Sequence, residues 1–293
     1  MVKVVLVVNG SKKKALQVGE DLSRLLADRQ IDSDTLITER SGHAIELVQN
    51  SQADGVVALG GDGTINECIQ GIMRSERDPF FTAIPLGSGN DLSRSIHFPD
   101  NPEELASQIN EMKTLSCDVC SVKYGVEEEY FINIADAGFG PAVVDRVERM
   151  PRWLGANLRF SFGILRTFLS YKKRQLSVNG EGFEWNGKSM IIAVANGKYF
   201  GSGLCIAPMA RVDDGVLEVI CVGDISLLDY LKQLPKLKKG QKIDHPEVHY
   251  FRSPWVKISG QSRLEKDGEM GGELPVRIEC MEKVLEVWGM ADL

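Results

Sequence analysis

At 293 residues, with 43% hydrophobic and 26% charged residues, the chain has the composition of a soluble globular protein and a length that suits two domains. The formal net charge of −7 argues against a general nucleic-acid binder, so no nucleic-acid partner is expected. No run approaches the roughly 18 apolar residues of a membrane span. Met1-Val-Lys-Val leads straight into a strand without a signal-peptide pattern, so a cytoplasmic protein is expected.

The nearly continuous apolar run Val2 to Val8, bounded by Asn9-Gly10, predicts a central strand. Leu16, Val18, Leu22, Leu25 and Leu26 recur at helical spacing across residues 15–30. A short strand follows at Asp34 to Thr38 and a helix at Ala44 to Gln49. Strands alternating with helices imply a parallel sheet that binds ligands at the carboxyl ends of its strands.

The most informative stretch comes next. Val56, Val57, Ala58 and Leu59 read as a buried strand that breaks into Gly60-Gly-Asp-Gly-Thr64 and then opens a helix. Glycines there let backbone amides approach a polyphosphate, and Asp62, which cannot attract phosphate itself, suits Mg²⁺. Thr64 and Glu67 match a capping box, and Ile65, Cys68, Ile69, Ile72 and Met73 form an apolar stripe on the helix. A plain glycine-rich turn is the bland alternative. It is weakened because Thr82 to Ile84 leads into a second loop of the same kind, Pro85-Leu-Gly-Ser-Gly-Asn-Asp91. Two such loops, each with a carboxylate, can converge on one nucleotide and its metal.

After about residue 115 the rhythm changes to short runs separated by Gly, Asn or Asp: 117–124, 130–134, 175–178, 189–195, 216–222, 248–251, 255–258, 274–279 and 284–288. That spacing predicts an antiparallel sandwich or barrel, with helices only at 150–173 and 226–240. The six cysteines sit mostly in apolar runs and read as reduced core residues. Cys117-Asp-Val-Cys120 lacks a second pair, and Pro246 disfavours a helix that would join His245 and His249 as metal ligands. From Arg149 to Arg174 seven basic residues and no acid are interleaved with Phe, Leu and Ile, which fits an element lying on an anionic membrane or a packed helix with snorkelling arginines.

These motifs resemble the diacylglycerol kinase catalytic-domain superfamily, in particular the bacterial soluble lipid kinases, with sphingosine and ceramide kinases as relatives. Gly60 to Thr64 with Asn66-Glu67 matches the nucleotide loop and Pro85 to Asp91 the second loop. Gly138-Phe-Gly, Val194-Ala-Asn196, Ile206-Ala-Pro208, Asp214-Gly-Val-Leu and Asp267-Gly-Glu269 follow in the family's order. The resemblance implies an α/β parallel-sheet domain of the NAD kinase/diacylglycerol kinase type over residues 1–122. It implies a β-sandwich domain over 123–293, with the extreme C-terminus packing back on the first domain.

By position, the resemblance makes Gly61, Asp62, Gly63, Thr64, Ile65, Asn66 and Glu67 line the phosphates of ATP, with Thr38 and Ser88 also on the nucleotide. It makes Asp62 and Asp91 organise the catalytic Mg²⁺ and Glu269 the proton acceptor. A second Mg²⁺ is implied at Asp214 and the backbone carbonyls of Arg211 and Val216. One departure is Asn9-Gly10-Ser-Lys-Lys-Lys14, where relatives often carry Asn-Pro; its lysines suit phosphate, an anionic surface or plain solvation.

The residues' own chemistry leaves alternatives open. Asp267-Gly268 is a good hairpin turn, Glu273 is a competing acid, and Asp213-Asp214 is an ordinary solvated turn. The leading expectation is a lipid kinase that associates peripherally and reversibly with the membrane surface, where its lipid substrate lies. The GGDGT loop alone also suits an NAD kinase-like enzyme, and a silent nucleotide- or lipid-binding protein is the third reading. A homodimer is the general expectation for a soluble protein.

Overall fold

The computed structural model describes residues 2–109, 114–151 and 155–291. The chain divides into two units, residues 1–118 with 283–293, and residues 119–282. In the first unit the strands β1 (Lys3–Asn9), β2 (Asp32–Thr38), β3 (Gly55–Gly60) and β4 (Phe80–Pro85) alternate with α1 (Lys13–Asp28), α2 (His43–Gln49) and α3 (Asp62–Met73). The sheet order β2-β1-β3-β4 is parallel throughout, which requires the crossover connections that the helices supply. β3 is buried along its whole length and β1 from Val4 to Val8, so these runs are apolar on both faces. Leu22 and Leu26 of α1 pack on Val4, Leu6, Val8, Val57 and Leu59, each such side chain contributing about 1.5–3 kcal/mol by leaving water.

The unit continues through β5 (Ile96–His97), α4 (Pro102–Gln108) and the start of β6 (Thr114–Tyr124). The second unit holds β7 (Glu127–Phe131), β8 (Ile134–Gly138), α5 (Phe139–Glu148), α6 (Ala156–Ser170), β9 (Arg174–Gly180), β10 (Phe183–Ser189), β11 (Ile191–Ala195), β12 (Tyr199–Phe200) and β13 (Leu204–Cys205). It is completed by β14 (Leu217–Val222), α7 (Leu227–Lys238), β15 (Val248–Ser253), β16 (Trp255–Gly260), β17 (Arg263–Lys266), β18 (Glu269–Glu273) and most of β19 (Val276–Trp288); β20 (Met290–Ala291) lies in the first unit.

One antiparallel sheet of the second unit runs β10-β9-β16-β19 and the other β15-β14-β11-β8-β17-β18. Alternate residues from both meet in one core: Leu176 and Val178, Ile192 and Val194, Leu217 and Val219, Val256 and Ile258, Val276 and Ile278. The outer face of the six-stranded sheet, with Ile191, Ala193 and Ala195, carries Phe139 of α5 and Phe168 of α6. The fold is therefore a parallel α/β unit and an antiparallel β-sandwich.

Three expectations need correction. Helices were expected in this part of the chain only at 150–173 and 226–240, but α5 forms before them; Pro141 sits in its first turn, where its missing N–H costs nothing. The runs 274–279 and 284–288 form one strand, β19, which passes from the second unit into the first. Its end pairs parallel with β4 at Val287, and Trp288 stacks on Phe80 at 3.4 Å. The run 130–134 is two strands, β7 and β8, interrupted at Ile132-Asn133. Part of the basic stretch, residues 152–154, lies outside the described residues.

Candidate active site

In the first unit α3 begins at Asp62, with Gly61 as an N-cap that has no side-chain partner. The first intrahelical amide is that of Ile65, which donates to the Gly61 carbonyl at 3.1 Å. The amides of Asp62, Gly63 and Thr64 have no intrahelical acceptor, which is the condition for holding an anion at a helix N-terminus.

The second glycine loop is tied to this turn through Asp62. Its Oδ2 accepts the Asn90 amide at 2.7 Å and its Oδ1 accepts the Asp91 amide at 2.8 Å. The Gly87 amide donates to Asn90 Oδ1 at 3.0 Å, and Asn90 takes a φ of +51°, which asparagine tolerates. The loops are in backbone contact: a Cβ on Gly87 would lie 2.8 Å from the Gly61 Cα. These glycines thus serve the meeting of two backbones.

The loop after β1 joins them. Asn9 Nδ2 donates to Thr64 Oγ1 at 2.9 Å, and the Gly10 amide donates to Thr38 Oγ1 at 3.3 Å. Lys12 Nζ lies 3.4 Å from where a Gly61 Cβ would stand, bringing a cation to the turn. Thr38, Gly61, Asp62, Gly63, Thr64 and Asp91 are accordingly gathered at the carboxyl ends of β1, β2, β3 and β4. Ser88 is exposed in the second loop.

Other nominated side chains are spent inside the unit. Ile65 is in the core, and Asn66 is buried with Oδ1 accepting from Gln70 Nε2 at 3.4 Å. Glu67 accepts the Gly42 amide at 2.8 Å and the Ala44 amide at 3.1 Å, capping α2. The expected Thr64/Glu67 capping box does not form, because α3 starts three residues earlier than that box requires and puts Thr64 at its third position.

The carboxylates fit a hard cation. Each Asp62 oxygen accepts one amide and keeps a lone pair, and the Asp91 side chain, 13% exposed, has Arg94 Nε no nearer than 3.9 Å. No group of three or more His, Cys, Asp or Glu is disposed to hold a metal among the described residues. Any Mg²⁺ here would therefore take much of its coordination from water and phosphate.

In the second unit Glu269 opens β18 directly after a tight turn in which Asp267 has φ +48° and Gly268 φ +88°. Glu269 is half-buried and Glu273 exposed. The Asp267 carboxylate accepts the amides of Ile132 at 3.1 Å, Asn133 at 3.1 Å and Ile134 at 3.0 Å. That grip is why the chain leaves strand geometry between β7 and β8. Asn196 reinforces it, donating from Nδ2 to the Ile132 carbonyl at 2.7 Å, while Asn133 Nδ2 donates to the Tyr199 carbonyl at 2.6 Å. Asn196 stands in the Val194-Ala-Asn196 motif, but its bond to Ile132, Asn133 itself and the anchoring role of Asp267 were not legible in the sequence. The available signal was an asparagine ending the apolar run Ile191 to Ala195.

The third nominated group lies before β14. Asp214 accepts the Val216 amide at 3.2 Å and is ion-paired with Arg252, while Arg211 pairs with Asp213 at 3.1 Å. One carboxylate and two carbonyls suit a cation that keeps several waters, provided that Arg252, whose side chain is 54% exposed, releases Asp214.

Residues 3–122 match the diacylglycerol kinase catalytic domain, and residues 133–289 match the YegS C-terminal NAD kinase beta sandwich-like domain. The chain belongs to this family, in its bacterial YegS-like branch. A "Probable lipid kinase YegS-like" of Chromohalobacter salexigens is 30% identical over 90% of this chain and 86% of its own length. The "Probable lipid kinase YegS" of Escherichia coli is 27% identical over 94% of each chain. The fold matches the crystal structure of a diacylglycerol kinase of Bacillus anthracis with a TM-score of 0.74, covering 98% of this chain and 96% of that one at 20% identity.

Proposed function

We propose that this protein is an ATP- and Mg²⁺-dependent lipid kinase that transfers the γ-phosphate to the hydroxyl of a membrane lipid of diacylglycerol, phosphatidylglycerol or sphingoid type. The observation that carries the reading is the double acceptance of the Asn90 and Asp91 amides by Asp62, which locks two glycine loops around the free first-turn amides of α3. The relatives' names support the lipid as acceptor.

On this reading the amides of Asp62, Gly63 and Thr64 hold the phosphates, with Lys12 adding positive charge, and Thr38 and Ser88 bordering the nucleotide. The backbone of Ile65, Asn66 and Glu67 extends the same turn. Asp62 and Asp91 hold Mg²⁺, which when bound neutralises charge on the phosphoryl oxygens. Glu269 takes the proton of the lipid hydroxyl, whose pKa is far too high for attack unaided. Asp214, with the carbonyls of Arg211 and Val216, holds a second Mg²⁺ that braces the sandwich.

Membrane contact is peripheral and reversible on a cytoplasmic protein. No described helix is long and apolar enough to cross a bilayer. α6 exposes Phe162, Leu165 and Leu169, and α7, brought beside it by a Phe168–Tyr230 ring contact at 5.2 Å, exposes Leu228 and Leu231 near its lysines. Exposed apolar residues flanked by cations suit an anionic interface.

The test is transfer of labelled γ-phosphate from ATP to lipids in mixed micelles, with NAD as a parallel acceptor and Glu269→Gln as a control. Label in a lipid, reduced about 10²- to 10⁴-fold by Glu269→Gln, is the expected result. Label in NAD, or none despite ATP binding, would sink it.

A further inference from the structure

The sheet face covered by α5 and α6 contains two acids in register. Asp136 on β8 stands opposite Glu265 on β17; Asp136 is fully buried and Glu265 is 7% exposed. The groups that can bond Asp136 are the Glu265 carboxyl and the Gly140 amide, each of which lowers its proton affinity against the burial that raises it. The groups that face it are the Glu265 carboxyl, the backbone of Gly140 on α5, where a Cβ would come within 2.2 Å of its oxygens, and the unpartnered hydroxyl of Tyr171 after α6. Asp267 adds negative charge beside Glu265, and Arg174 is the cation that acts on Tyr171. Lys266 is directed to the other face by strand alternation and reaches Glu129 at 3.6 Å.

Two ionised carboxylates have no proton with which to bond, whereas one shared proton makes the pair a donor and an acceptor. Burial drives the proton affinity of both acids up, and for Glu265 the neighbouring Asp136 adds to it. Glu265 is also connected to the turn, since its Oε1 accepts the amide of Gly268, the residue before Glu269. Asp267 and Gly268 both occupy positive φ, so the direction in which Glu269 leaves the turn depends on what holds their amides. The Asp267 amide is held by the Ile134 carbonyl at 2.9 Å and the Gly268 amide by Glu265.

We infer that Asp136 and Glu265 form a buried carboxyl pair sharing one proton, and that this pair positions Glu269 through the Gly268 amide. The role rests on the reading of Glu269 as proton acceptor. Glu265 and Asp136 are positioning residues: loss of the shared proton sets two negative charges side by side with no cation paired to them among the described residues, and their repulsion pushes Glu265 off the Gly268 amide although the ionised carboxylate is the stronger acceptor.

Glu265→Gln separates the proton from the shape. Its amide donates permanently to Asp136 while its oxygen still accepts from Gly268. The first readout needs no activity. A shared proton is held more tightly folded than unfolded, so its stabilisation is complete below about pH 4.3, the ordinary Glu value, and disappears as pH rises through the folded value. The Tm of the wild type should therefore fall relative to that of Glu265→Gln between pH 4 and 9.

The second readout is kcat for lipid phosphorylation. Glu265→Gln should stay within about threefold of wild type at pH 7 and lose the wild type's decline at alkaline pH. Glu265→Ala should lose about tenfold or more in kcat with KM for ATP unchanged, as a displaced reacting group does. Parallel Tm curves would overturn the shared proton. A Glu265→Gln enzyme as impaired as Glu265→Ala, or one keeping the same alkaline decline, would overturn the positioning role. Full activity of Glu269→Gln would remove the acceptor reading instead, and the Tm comparison would still decide the pair.

Discussion

Asp62 and Glu265 both hold a turn by accepting backbone amides, yet their surroundings are opposite. Asp62 lies at strand ends, partly open, and takes the amides of Asn90 and Asp91, so it can be charged and still be satisfied. Glu265 is buried against a second acid and takes the amide of Gly268, so one charge there is already costly. A carboxylate met by amide donors stays charged and ties two loops together. A carboxyl met by another carboxyl stores a proton instead, and its holding strength becomes dependent on pH.

The comparison is broken most decisively at Asp62. Asp62→Ala should cut phosphate transfer by about 10³-fold or more, since it removes both the proposed metal ligand and the bond between the glycine loops. Near-normal turnover of the folded variant would show that the loops need no bridge. On the other side, Asp267→Ala strips three amides of their acceptor and should lower stability by about 2–4 kcal/mol in urea unfolding, with Asp267→Asn recovering part of it. No change in midpoint would mean that water replaces the carboxylate freely.

A smaller effect is expected at Gly87. A methyl there would lie 2.6 Å from Asn90 Oδ1 and 2.8 Å from the Gly61 Cα, so Gly87→Ala should part the loops and raise KM for ATP about tenfold. Unaltered KM would show that the close approach is incidental. Smallest is Glu67→Gln, which leaves one acceptor oxygen for the two α2 amides and should cost about 1 kcal/mol in thermal unfolding while sparing kcat. A large fall in kcat with stability intact would place Glu67 in the phosphate site.

The first unit was the more legible. β1 and β3 are buried on both faces, so their apolar runs declare central parallel strands, and the glycines after them mark where the sheet ends. The second unit was legible as a rhythm of short strands, because each strand alternates between a core face and another face. Its α5 was not, because Gly138 and Pro141 signal a loop locally and only packing of Phe139 on the sheet makes a helix there.

By itself, the amino-acid sequence determined the change from a parallel α/β half to an antiparallel β-rich half, the two glycine loops and the acids within them, because hydrophobic period and glycine backbone freedom are local properties. Only the tertiary structure decided that Glu67 caps α2, that Asp267 grips three amides rather than merely turning a hairpin, and that Asp136 meets Glu265. Those are contacts between residues 23 to 135 positions apart, and a carboxylate's partner, unlike its presence, is chosen by the fold that surrounds it.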